Sequence, residues 1–566
     1  MDMKFIRASD LAAMSSSSSE LIMASVAFVV GLLSHQIFKR NEPSAYGCFG
    51  YIVGTNVAMA ILSKALGIRT TTGLVQVAII DLGIYIATIL TSMTLYRVFF
   101  HPLNRFPGPL FCKITRFVAT YHALQRDTHV WLHDLHEKYG DVVRVSPNEL
   151  SYKSVTAVDA VHGSKAGNVA RGPFYGGDPN RPANSMLSTQ SLDEHRWRRK
   201  IWERGFGTLQ LKAYESRVVR HLDVLVSQLR KREGAIVNMT EWCEFFAYDV
   251  MSDLGFSEEF GMLKAGKPHR YVSALHGNAR IIFTVAQTPW MRPLLWLFPV
   301  DAQSKKDGRD FRKIGIETYH RRKARGDVKQ QDMFETIANN PDSIGPRPLT
   351  EAEIMADASL IIMAGSTSTA LCITFVFWYL CQHRAIYGKL QREIDRNWDG
   401  VSPLAVSQIG PGPAPYLNAV IEETLRIWPP APGGTQRRSP DGGMVVDGEY
   451  VPKGTQVSVC PIAIQRDERY FSNPLEFIPE RWVDDMRPPD FVHQPRAFIP
   501  FTVGQYTCLG KNLAYQEIRL FVAKVMRNLD FHFPPGYNPA EFEKTVAFKG
   551  TLLIGELPVI FTSRKD

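Results

Sequence analysis

The chain has 566 residues and a formal net charge of +9, with 45% of the residues hydrophobic and 11% aromatic. That is too long for one simple domain but fits a large catalytic domain behind an anchor, and it supplies enough apolar material for a large core. The seven cysteines contain no C-x-x-C pair, which excludes a disulfide framework or zinc site and points to a reducing compartment; no basic patch interleaved with aromatics points to nucleic acid.

Three apolar stretches come first, at 21–33, 46–62 and 74–96. A bilayer core takes about 20 mostly apolar residues as a helix. The third stretch meets that length despite Asp81, the first is short unless it extends through Phe38, and the second is glycine-rich. Residues 1–100 are therefore expected to form a membrane anchor with one to three spans. A cleaved signal peptide is the rival for the first stretch, but no small-residue cleavage site follows it. Lys39 and Arg40 after the first stretch and Arg97 after the third place those ends in the cytosol. Asp81 is either a buried carboxylate seeking a partner or one turned toward another span. The segment HPLNRFPGP (101–109) then breaks any helix.

Helical patterning dominates the rest. Residues 129–140 have helical apolar spacing and end on Gly140, 141–152 spell a strand and turn, and 194–206 spell an arginine-rich helix. The longest helix candidate, 349–382, opens with a capping box, Thr350 to Glu353. It is apolar almost all round and so belongs at the centre of the fold. Its middle carries Gly365-Ser366-Thr367-Ser368-Thr369. Such residues weaken or bend a helix, and the patch marks either close packing or a local opening where something binds. A further helix ends near Pro429 and holds Glu423 and Arg426 at i, i+3, which alone usually means a surface ion pair. Short strands with Asp-Gly and Pro-Lys-Gly turns follow, and helix returns after residue 510.

Cys508 lies between glycines, in FIPFTVGQYTCLGKN (498–512), just ahead of that helix. A nucleophilic cysteine needs a histidine base, and no signature of that kind surrounds it. A metal thiolate needs backbone N–H groups aimed at sulfur, which a glycine loop entering a helix supplies, lowering the thiol pKa. A lone thiolate fits an iron already held by four porphyrin nitrogens.

The spacing Phe501, Gly504, Cys508, Gly510 resembles the haem-binding loop of the cytochrome P450 monooxygenases. Ala364-Gly365 in the long helix, the E-x-x-R pair and Pro479-Glu480-Arg481-Trp482 stand in that family's order, over roughly residue 96 to the C-terminus. The resemblance, closest to fungal microsomal members, implies a mainly α fold with a small β-sheet region, a haem-thiolate catalytic domain over 101–566, and haem b. It implies that Cys508 is the axial ligand to the metal and that Phe501 shields its sulfur. His195 and Arg199 at i, i+4, with Arg437, are implied contacts of the haem propionates. Glu423, Arg426 and Arg481 are the implied ion-paired triad behind the haem. Neighbouring Arg196, Arg198, Arg204 and Arg438 are expected at the surface. Two departures stand out. Tyr506 occupies a position where the family usually has Arg or His. Thr367 and Ser368 occupy the places of the catalytic acid and threonine, so Ser368 keeps a hydroxyl for a water against dioxygen while the acid is missing.

These implications define an endoplasmic reticulum membrane enzyme with its catalytic domain facing the cytosol. It takes electrons from NADPH-cytochrome P450 reductase and inserts one atom of O2 into a lipophilic small molecule, a terpenoid or similar compound of secondary metabolism. A haem-thiolate isomerase, dehydratase or peroxide-using enzyme is the alternative, motivated by the missing acid. A non-enzymatic membrane haem protein is the third class. The loop 163–194, rich in Gly, Pro and Asn, is expected to cover the pocket.

Overall fold

The computed structural model describes residues 8–40, 45–65, 71–163, 167–176, 183–289, 301–326, 332–338, 344–548 and 550–564. They divide into two compact units, with the break between Arg116 and Phe117.

The first unit is built on α1 (Ala8–Arg40), α2 (Ala45–Ala65) and α3 (Thr71–Leu95). Leu21–Lys39, Tyr46–Ala65 and Ala78–Phe100 are each long and apolar enough to cross a membrane. Leu21, Phe28, Phe49, Ile79 and Ile80 face outward. Polar side chains turn inward and find each other. The Tyr85 hydroxyl donates to Ser34 Oγ at 3.1 Å, and His35 Nδ1 lies 2.8 Å from Ser92 Oγ. Asp81 is buried too, with one oxygen unpartnered among the described residues. Outward apolar and inward polar groups are what helices need when the solvent is lipid. A π-helical turn, Tyr96–Phe100, extends α3, and the proline-rich break follows as a short 3-10 turn, Pro102–Arg105, capped by the His101 ring.

In the second unit the strands are short and the helices long. β1 (Val142–Ser146), β2 (Glu149–Tyr152), β3 (Ala170–Arg171), β4 (Ile236–Asn238), β5 (Arg437–Arg438), β6 (Met444–Val446), β7 (Glu449–Val451), β8 (Gln456–Val459), β9 (Leu529–His532), β10 (Ala547–Phe548), β11 (Leu552–Leu553) and β12 (Pro558–Ser563) make four small sheets. The largest runs β1-β2-β8-β5-β3 and is mixed, with β2 parallel to β8. Its last pairing sets Arg171 opposite Arg437.

The long helix, Glu351–Gln382, starts with the expected capping box. The Thr350 N–H donates to Glu353 Oε2 at 2.8 Å, and the Glu353 N–H returns to Thr350 Oγ1 at 3.3 Å. It is as apolar as a membrane span, but most of its residues are buried inside the protein, so it is core. Phe375 stacks on Trp428 with centroids 4.8 Å apart. The helix runs unbroken through Gly365–Thr369. The Ser366 and Ser368 hydroxyls donate to the carbonyls of Ile362 and Ala364 at 2.8 and 3.0 Å, which satisfies them within the helix. Gly365 admits a neighbour: an added Cβ would sit 2.6 Å from Met251 Cε on the helix Met239–Phe256. Close packing thus explains one side of the patch. On the other side Ala364 is exposed, and Gly365 and Ser368 are half-buried.

Behind this helix, Glu423 on Pro415–Ile427 is fully buried and fully used. Arg426 Nε donates to it at 2.8 Å, Arg481 Nε at 3.0 Å, the Trp482 indole at 2.9 Å and the Ile478 N–H at 3.0 Å. Burial alone would raise this carboxyl; the two guanidiniums hold it below its ordinary value.

Candidate active site around Cys508

Cys508 lies two residues before Gly510, the N-cap of the helix Lys511–Asn528. Its N–H donates to the Phe501 carbonyl at 3.0 Å, which closes the loop back on itself. Gly504 has φ +71°, and a Cβ there would lie 1.9 Å from the His162 carbonyl oxygen, so only glycine fits the turn. The Cys508 side chain is exposed. Burial by the surrounding chain nevertheless raises its pKa, against the opposing pull of the Gly510 and Lys511 N–H groups and the Arg199 charge. The donors expected around the sulfur are present, but burial outweighs them and the expected lowering is not seen. The Phe501 ring packs on Tyr515 at 5.3 Å, with Lys511 Nζ 6.0 Å from its centroid.

Beside the loop is a cluster of cations. Arg199, on the helix Leu192–Glu203, donates to the Thr507 carbonyl at 2.7 Å and to Glu203 at 2.9 Å. His195, one turn earlier, is buried with its ring 4.3 Å from that of Tyr506. Burial, then the charges of Arg171, Arg199 and Arg437, push its pKa down to about 3, so it is a neutral imidazole. Arg437 and Arg171 lie over the same Tyr506 ring, at 4.2 and 4.7 Å. Both are buried, and among the described residues neither pairs with a carboxylate. Among the described residues, Arg437 Nε and His195 Nδ1 have no hydrogen-bond partner. Two adjacent buried guanidiniums without a counter-charge carry a desolvation cost of several kcal/mol. The arrangement is a cradle for an anionic group, and it opens beside the cysteine loop.

The sequence brought His195, Arg199 and Arg437 to this place, but Arg171 was missed. It lies inside the glycine-rich loop, and only its pairing with Arg437 in the sheet reveals it. Tyr506 sits at the centre of the cluster as the ring that the cations cover, so Arg171 supplies a charge that Tyr506 lacks. Arg198, expected at the surface, is fully buried: it pairs with Asp357 at 2.8 Å and Glu194 at 2.9 Å. Trp202 and the Met186 N–H complete the Asp357 shell, at 3.1 and 2.6 Å. The neighbouring hydroxyls Thr367 and Ser368 face different ways. Ser368 lines the half-open face with Ala364, whereas Thr367 is buried, 2.9 Å from the Tyr248 hydroxyl. Residues 164–166 and 177–182 of the loop expected to cover the pocket lie outside the described residues.

A family model for cytochrome P450 matches residues 107–559. "Cytochrome P450 67" of Uromyces fabae is 32% identical over 562 residues, covering 95% of this chain and 99% of that one. "Tryprostatin B 6-hydroxylase" of Aspergillus fumigatus is 31% identical, covering 97% and 99%. Among solved structures, the haem domain of cytochrome P450DA superposes with a TM-score of 0.65 at 18% identity, covering 79% of this chain and 95% of that one. The chain belongs to the cytochrome P450 family and is an oxidoreductase with that fold.

The family implies haem, and the residues fit it. A sulfur stands before a helix N-terminus, and the unpartnered atoms of Arg437 and His195 with the uncompensated charge of Arg171 are what two propionates require.

Proposed function

We propose that this protein is a membrane-bound haem-thiolate monooxygenase that inserts one oxygen atom from O2 into a lipophilic small molecule. The observation that carries this is the conjunction of the Cys508 loop with the buried, carboxylate-free cations Arg171 and Arg437. Cys508 would hold the iron, Arg437, Arg171, Arg199 and His195 would hold the propionates, and Phe501 would shield the sulfur. Haem b, when bound, supplies dioxygen activation, favoured by the electron push of a thiolate. The chain's own contribution is the half-open face of the central helix, where the Ser368 hydroxyl accepts from a water and orients it. Thr367 stands beside it in the place of the usual acid, and the Glu423–Arg426–Arg481 network keeps the wall behind the site rigid.

Electrons come from NADPH through cytochrome P450 reductase, which the basic residues on the cysteine side would attract. The three apolar helices support an endoplasmic reticulum membrane setting with the catalytic domain, 101–566, in the cytosol. The relatives from fungal secondary metabolism support a lipophilic metabolite, of terpenoid or similar type, as substrate. The neutral Thr367 favours a second reading, an isomerase, dehydratase or peroxide-using enzyme that needs no proton supply. Turnover that depends on NADPH and reductase separates the two.

The deciding experiment is the carbon monoxide difference spectrum of reduced membranes carrying the protein. The expected result is the red-shifted Soret band of a thiolate-ligated haem, lost in Cys508→Ser. Folded wild-type protein without that band would sink the assignment.

A further inference from the structure

No acid lies between Asp357 and Glu393 in the sequence, and Asp357 is committed to Arg198, Trp202 and Met186. A proton destined for the Ala364–Ser368 face must therefore come from a neighbouring element. The helix Met239–Phe256, which packs on the patch through Met251 and Gly365, carries one. Its Tyr248 hydroxyl is 2.9 Å from Thr367 Oγ1. One turn earlier on the same face stands Glu244, close enough for its charge to act on Tyr248. Glu241, three residues further back, is exposed. The three groups grade from water inward: the Glu244 side chain is 21% exposed, whereas Tyr248 is fully buried.

We propose that Glu244, Tyr248 and Thr367 form a proton line that takes the place of the missing central-helix carboxyl and feeds the Ser368 face from solvent. The proposal rests on the monooxygenase reading. Thr367, which is turned toward Tyr248, releases its hydroxyl proton across a bridging water toward an oxygen acceptor at that face and takes the Tyr248 proton. Tyr248 takes the Glu244 carboxyl proton, directly or across one water. Solvent then reprotonates Glu244. Only O–H bonds break and form, and the net result is one proton moved from water to the acceptor.

The chemistry of each group suits its place. Burial holds Tyr248 far above the usual phenol range, so it never ionises and passes a proton only while receiving one. Burial, then the nearby Glu241, raises Glu244 to about 7, so it is both protonated and rechargeable near neutrality. The other groups facing this line are His276, 3.6 Å from Glu244, and Tyr271, both on Arg270–Gln287. Cys243 adjoins Glu244, and Glu556 lies near Glu241. None of them places a second carboxyl at Tyr248.

The test uses the full-length haem-loaded protein in lipid discs and two readouts. Without reductant, the infrared band of a protonated carboxyl should titrate near neutral pH, vanish in Glu244→Gln and shift in Tyr248→Phe. With NADPH and reductase but no substrate, oxygen consumed is partitioned between superoxide, which needs no delivered proton, and peroxide or water, which do. Tyr248→Phe and Thr367→Val should raise the superoxide share severalfold and change the solvent deuterium isotope effect, which a purely structural hydrogen bond would not. An unshifted band in Tyr248→Phe, or a wild-type partition and isotope effect in Thr367→Val, overturns the proposal. Thr367→Val also decides the matter where Tyr248→Phe does not fold. If the wild type consumes no oxygen with NADPH and reductase, the monooxygenase reading itself falls and takes the proposal with it.

Discussion

Glu423 is fully buried and accepts five hydrogen bonds from four residues. Arg481→Ala removes one of its two cations and leaves the carboxylate undercompensated, at a cost of about 3–5 kcal/mol. The expected outcome is a protein that no longer retains haem, measured as loss of the Soret band and a lower unfolding temperature. Glu517, on the helix Lys511–Asn528, is the opposite case. It is buried, its Oε1 has no partner among the described residues, and burial pushes its pKa up to about 8 against a hydrogen bond with Thr369. The folded state therefore keeps a proton that the unfolded chain loses near pH 4.5, so stability falls as pH rises from there to about 8 and then levels. Glu517→Gln should flatten that slope and stabilise the protein at pH 7, by on the order of 1–3 kcal/mol. Unfolding midpoints of both proteins across this range check the sign; a parallel slope would show that Glu517 titrates normally.

At the scale of the element, the cysteine loop depends on backbone geometry more than on side chains. Gly504 faces the His162 carbonyl where no Cβ fits. Gly504→Ala should distort the loop and abolish the thiolate-type carbon monoxide band, or convert it to the band of a protonated or displaced thiol, while circular dichroism stays helical. An unchanged band would mean that the loop accommodates the clash. The central helix shows what a local reading leaves out. The patch stays helical: the Ser366 and Ser368 hydroxyls donate to the preceding turn, Thr367 meets Tyr248, and Met251 fills the space left by Gly365. The sequence-legible feature was the patch; its division into a packed side and an open side depends on the helix that lies against it.

At the scale of the whole molecule, the chain separates into two units, each with its own solvent logic. The first exposes large apolar residues on helices of membrane length, and the second buries a helix of equal hydropathy within protein. Deleting residues 1–100 should move the protein out of the carbonate-resistant membrane fraction and leave the carbon monoxide band intact. Fractionation followed by the same spectrum tests this, and retention in the resistant fraction would require a second anchor.

The sequence by itself determined the apolar stretches of membrane length, the capping box, the cysteine loop and the triad residues, because each is encoded within a short segment: apolar length, cap spacing, or glycines around a sulfur. The family followed from those segments taken in order. Only the tertiary structure decided which charges meet. Arg171 joins Arg437 through a sheet pairing between strands more than 260 positions apart, Arg198 goes inward to Asp357, and Thr367 turns to Tyr248 on another helix. No local pattern carries such pairings, since a buried charge or hydroxyl is settled by whichever partner the packed elements bring within hydrogen-bond distance.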